Sequence, residues 1–152
     1  MKYFILATVD AEQIDTTRRV PAHDVIMNRL HQGKWPIYSG TSFKDKLSVG
    51  DKCLIYVGGY RDKCRHIVAS ATIDKFENDN TLIDGDDILT KVPLKILTFK
   101  DIEFYLKPVN IKLFIDELSF ISNKQYWGTS LQGGCKIMSE TDFNLIDCQN
   151  DK

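Results

Sequence analysis

Two tryptophans stand among residue types that rarely surround a core indole. Trp35 lies in GKWPIYSG, residues 33–40, and Trp127 in FISNKQYWGTSLQGG, residues 120–134. Each has Gly, Ser or Thr nearby, so backbone N–H and C=O groups lie close to a large aromatic face. Two indole faces with a hydrogen-bonding rim suit a flat heteroaromatic ligand. Stacking contributes about 1–3 kcal/mol per base, and the rim reads the base edge. The same residues could instead cap the ends of a core, their indole N–H groups bonded to loop carbonyls. Composition alone leaves both readings open.

Nothing in the chain spells out a catalytic constellation. There is no GxSxG, HExxH, Walker loop or GxGxxG. Gly58-Gly59 follows a strand pattern without a helix start behind it, so it reads as a hairpin turn and not a pyrophosphate cradle. Asp86 and Asp87 sit in a hydrophilic stretch where nothing would desolvate a carboxylate. His23 and His31 belong to a surface helix, and His66 opens a strand. The cysteines, Cys53, Cys64, Cys135 and Cys148, lack CxxC spacing, so no metal site and no cofactor are expected. Binding is favoured over catalysis.

At 152 residues the chain has the size of one domain, here taken as residues 1–148 with a short polar tail at 149–152. No apolar run approaches the roughly 20 residues that span a bilayer, and MKYFILATVD reads as a first strand and not as a signal peptide. A cytoplasmic location follows as the default. The net charge of −1 argues against a tight non-specific grip on nucleic acid, but charge is segregated. Residues Asp74 to Asp87 are strongly acidic, whereas Lys34, Lys44, Lys46, Arg61, Lys63 and Arg65 gather into basic clusters able to hold a few phosphates.

The elements that must position the tryptophans follow from periodicity. Residues Lys2 to Val9 read as a strand. PAHDVIMNRLH, from Pro21, reads as a helix with Gly33 just past its end. Trp35 to Gly40 reads as a loop, and CLIYVGG, HIVASATI and VPLKILTF read as strands. NIKLFIDELSF reads as a short helix, Lys136 to Met138 as a short strand, and Ser139 with Asp142 as a capping-box-like start to a last helix. Strands dominate, with helices between and after them. That pattern suggests a small mixed or barrel-like sheet with helices against it, not a doubly wound parallel fold.

The order of these segments resembles an EVE domain, a member of the PUA-like superfamily related to YTH RNA-binding domains. The matching signs run nearly end to end: YFILATVD, a helix leading to Trp35, VGDKCLIYV, IVASAT, VPLKI, FIDELSFISNKQYWGTSLQGG and SETDFNLI. The resemblance implies an α+β fold, a partly open β-barrel of five or six strands flanked by helices. It also implies a pocket receiving a base, often a modified one, flipped out of DNA or RNA. In that picture Trp35 and Tyr38 form aromatic wall, Thr8, Asp10 and Tyr56 line the floor, and Asn123, Trp127 and Gly128 form the rim. Lys34, Lys44, Arg61 and Lys124 would border the mouth and hold phosphates, and both tryptophans would share one cavity. Many members carry a glycine and a basic residue after the first tryptophan, where this chain has Pro36, Ile37 and Tyr38. The other readings are a PUA-like enzyme, such as an ASCH-like nuclease or hydrolase, and a small-molecule- or protein-binding domain.

Overall fold

Near-continuous apolar runs let the central strands of this chain, YFILAT and KCLIYV, bury both faces. The computed structural model describes residues 1–8, 11–12, 19–58, 65–77, 93–122, 124–127, 131 and 133–151. Its strands are β1 (Tyr3–Thr8), β2 (Ala11–Glu12), β3 (Arg19–Val20), β4 (Lys34–Ile37), β5 (Lys52–Val57), β6 (His66–Glu77), β7 (Lys95–Asn110) and β8 (Cys135–Met138). The helices are α1 (Ala22–Gln32) and α2 (Glu140–Asp147). Six strands form one sheet in the order β4-β7-β6-β5-β1-β8, while β2 and β3 form a separate pair. Among the described residues β1 and β5 run parallel, and the other pairings are antiparallel.

Successive residues of a strand face opposite sides of the sheet. Phe4 and Leu6 of β1, with Cys53, Ile55 and Val57 of β5, therefore join Ala22, Ile26 and Leu30 of α1 in one core. Ile5, Leu54 and Tyr56 point the other way and join Phe143 and Ile146 of α2. The sheet thus has an α1 face and an α2 face. Its two edge strands are drawn together by loops: the Ser42 N–H, beyond β4, donates to the Gly133 carbonyl, ahead of β8, at 2.9 Å. The Lys136 ammonium of β8 lies 5.7 Å from the Phe43 ring centroid. This tie between the edges curls the sheet into the partly open α+β barrel that the sequence suggests.

Local chemistry explains the boundaries. Gly33 adopts φ 69°, and its N–H donates to the Leu30 carbonyl at 3.1 Å, ending α1 where the sequence places a glycine. Some elements differ from the sequence reading. Trp35 to Gly40 is not wholly loop, because Lys34–Ile37 forms the edge strand β4, where Pro36 loses no central ladder bond. Strand β7 continues far beyond VPLKILTF, through Asn110, by means of irregular register with β6. NIKLFIDELSF holds only a 3-10 turn over Ile111–Phe114, with the Asn110 side chain accepting from the Lys112 N–H. The acidic stretch also contributes to the sheet, since β6 extends to Glu77; the remainder of that stretch, 78–87, lies outside the described residues. No helix of the described residues is long and apolar enough to cross a membrane.

Candidate functional site

The two tryptophans lie on different faces. Trp35 is 3% exposed within the α1-face core, its ring 6.4 Å from that of Phe99. The guanidinium carbon of Arg29, itself 5% exposed on α1, lies 5.0 Å from the Trp35 ring centroid. Trp127 is partly exposed and packs against the α2-face core. A single cavity lined by both indoles does not fit this arrangement, because strand alternation turns the two clusters to opposite sides of the sheet. Tyr56 belongs with Trp127, on the α2 face.

The run that carries Trp127 is fixed by two charged side chains. Ser139 caps α2 by accepting from the Asp142 N–H at 3.1 Å. The Asp142 carboxylate does not close a reciprocal box; it accepts from the Ser119 N–H at 3.1 Å, the Ser119 hydroxyl at 2.8 Å and the Phe120 N–H at 3.1 Å. The Lys124 ammonium donates to the carbonyls of Ile115 and Leu118, both at 2.8 Å. Lys124 therefore closes the turn ahead of Trp127, a structural task beside the phosphate role expected of it. Beyond these anchors, the Arg65 guanidinium carbon lies 5.8 Å from the Trp127 ring centroid.

Arg65 is held in a costly conformation. Its φ is 65°, in the left-handed region that non-glycine residues seldom occupy. Its N–H donates to the Val57 carbonyl at 2.6 Å, and its carbonyl accepts from the Ile111 N–H at 3.2 Å. These bonds place it at the end of the sheet where β1 and β5 finish. Thr8 is there too, its carbonyl accepting from the Gly58 N–H at 2.8 Å. The Ala7 N–H donates to Gly134 at 2.9 Å, bringing the Gly133-Gly134 turn to the same end. Gly133 has φ 91°, and a Cβ there would collide with the Ser42 side chain, so glycine permits the close approach of this turn to the loop after β4.

That loop is itself closed by short bonds. The Tyr38 N–H donates to Thr41 Oγ1 at 3.0 Å, the Thr41 N–H returns a bond to the Tyr38 carbonyl at 3.0 Å, and the Lys46 N–H donates to the Phe43 carbonyl at 2.9 Å. A Cβ on Gly134 would stand 3.7 Å from the Ala7 carbonyl and 3.9 Å from a Thr41 methyl, so the turn links Tyr38's loop to the β1 end that carries Thr8. Phe43 has φ 57° and is 38% exposed. Among the expected phosphate ligands, Lys44 lies on this loop, its carbonyl accepting from the Lys95 ammonium at 3.3 Å. Lys34 instead pairs with Glu77 at 3.9 Å on the β4–β7–β6 side. Asp10, Arg61, Asn123 and Gly128 lie outside the described residues.

The buried acids serve the fold. Asp51, 3% exposed, accepts from the N–H groups of Lys2 and Ser48, both at 2.9 Å, so the GD of VGDK fastens the turn before β5. Tyr105 donates to Asp147 at 2.6 Å; burial and then this bond push its phenol above the ordinary range. Burial raises the Cys53 thiol well above its usual value and pushes Cys135 up to about 12. None of these groups forms a nucleophile–base pair. In the sequence Arg65 is one of several basic residues and nothing marks Phe43. Positive φ at a non-glycine residue leaves no mark in a sequence.

No protein-family model matches the sequence, and no curated protein matches it. Solved structures do match, over nearly the whole chain. A hypothetical protein from Leishmania major is similar at TM-score 0.64 and 16% identity, covering 99% of this chain and 95% of that one. Human THYN1, solved in complex with 5-methylcytosine-containing DNA, is similar at TM-score 0.62 and 10% identity, covering 100% and 99%. The N-terminal domain of Staphylothermus marinus McrB is similar at TM-score 0.61 and 9% identity, covering 97% and 93%. At these identities the likeness is one of fold, and that fold is the PUA-like, partly open barrel.

Proposed function

We propose that the protein is a non-catalytic, EVE-type nucleic-acid-binding module that captures a base, a modified one included, at the end of the sheet where β1 and β5 finish. The observation that carries this reading is the likeness along essentially the full length of both chains to human THYN1, a structure that contains 5-methylcytosine DNA. The local chemistry agrees with it. A partly exposed indole under a guanidinium, nearby lysines, and backbone groups at glycine turns supply stacking, phosphate neutralisation and edge reading.

In this reading the base lies beyond the ends of β1 and β5 against Trp127, with Thr8, Tyr38, Asp10, Asn123 and Gly128 as the further contacts proposed for it and Tyr56 supporting Trp127 from within the α2-face core. Trp35 holds β4, and so Tyr38, in place from the α1-face core. Lys44, Lys136 and Arg61 take the flanking phosphates. The test is a binding screen with DNA and RNA oligonucleotides, each with and without modified bases, repeated over a range of salt. Binding with affinity falling as salt rises is expected, and Lys44→Gln should reduce the salt slope by about one unit. No binding to any oligonucleotide at low salt would refute the proposal.

A further inference from the structure

The exposed side chain of Phe43 sets it apart from the aromatics that build the two cores. Phenylalanine has no hydrogen-bonding tip to justify exposure, and a bulky residue with φ 57° is an outlier for which the surrounding backbone must compensate. Here the compensation is visible. The Lys46 N–H bond to the Phe43 carbonyl, the paired bonds between Tyr38 and Thr41, and the Ser42 N–H bond to Gly133 hold the loop on both sides of the ring. The loop is therefore braced around a side chain that it presents outward. The Lys136 ammonium stands 5.7 Å from the ring centroid, and the chain runs on through Lys44, Asp45 and Lys46.

An apolar side chain on a braced loop, beside the Lys136 ammonium and next to a site for an extracted base, has the makings of a wedge. Extracting a base from a duplex costs unstacking and leaves a gap in the helix, and an inserted apolar side chain restores the lost stacking on its neighbours. The lysines would neutralise the phosphates on each side of that gap. We infer that Phe43 enters duplex nucleic acid at the position vacated by the captured base and holds the duplex open. This inference rests on the base-capture reading above and names duplex, not only single strands, as the substrate class.

The test compares a DNA duplex of about 20 base pairs, carrying a central 5-methylcytosine beside 2-aminopurine, with the same labelled strand alone. The wild-type protein is expected to bind both and to raise 2-aminopurine fluorescence in the duplex. Phe43→Ala should weaken duplex binding by about tenfold or more and abolish the fluorescence rise. Its single-strand affinity should change by less than about twofold, because no gap needs filling there. Phe43→Leu, which keeps an apolar wedge, should recover most of the duplex affinity. Equal losses on both substrates, or no loss on either, would overturn the wedge while leaving base capture intact. Wild-type binding to the single strand alone would also overturn it. Binding to neither substrate would remove the base-capture reading and the wedge together.

Discussion

Trp35 and Trp127 share loop-like sequence surroundings and occupy opposite physical situations. Trp35 is sealed between α1 and the sheet, its ring under a buried arginine, whereas Trp127 lies at the edge of the α2-face core under an arginine held in a left-handed conformation. Both indoles carry a guanidinium, so the cation–π contact does not separate them. What separates them is solvent. A desolvated arginine–tryptophan pair contributes to the fold, and a partly exposed one remains within reach of a ligand.

The largest expected effect belongs to the sealed site. Trp35→Ala should destabilise folding by about 3–5 kcal/mol, as other large-to-small core changes do, because neighbours on both α1 and β7 would face a void. Urea unfolding of the variant measures this directly. A loss below about 1 kcal/mol would mean that Trp35 is not the core residue its burial indicates.

Alkaline pH probes both faces together, since Cys53 and Cys135 lie on the α1 face and Tyr105 on the α2 face. All three folded-state pKa values lie above their reference values of 9.0 for the thiols and 10.0 for the phenol. Their contribution to stability is therefore complete below those reference values and is lost as pH rises through the folded ones. The unfolding midpoint should begin to fall above pH 9.0 and continue to fall toward about pH 12, where Cys135 titrates. A midpoint that stays flat over that range would contradict the burial of these groups.

The smallest effect on stability belongs to the open site. Trp127→Ala should cost about 1–2 kcal/mol, reflecting the part of the ring that packs on the α2-face core. A loss as large as that of Trp35→Ala would erase the difference between the two sites.

This difference was not legible in the sequence, although the barrel was. Short apolar runs in YFILAT and KCLIYV, Gly33 after α1 and Ser139 before α2 each mark local structure that forms as read. The extent of β7 is masked because residues 100–108 are mostly exposed. Ile102, Phe104 and Leu106 alternate with polar residues, but Phe104 and Leu106 do not seal into a core, and the strand is held in part by pairing with β6. The face on which each tryptophan lies depends on strand register and on remote contacts such as Asp142 to Ser119 and Ser42 to Gly133. The roles of Arg65 and Phe43 depend on backbone angles that only the assembled fold imposes.

The most direct test of base capture at the open end of the sheet is oligonucleotide affinity of the Trp127→Ala protein, measured beside its melting temperature. Base capture there entails a modest drop in melting temperature and a roughly tenfold to hundredfold loss of affinity, the equivalent of about 1–3 kcal/mol of stacking. Wild-type affinity retained in the folded variant would contradict it.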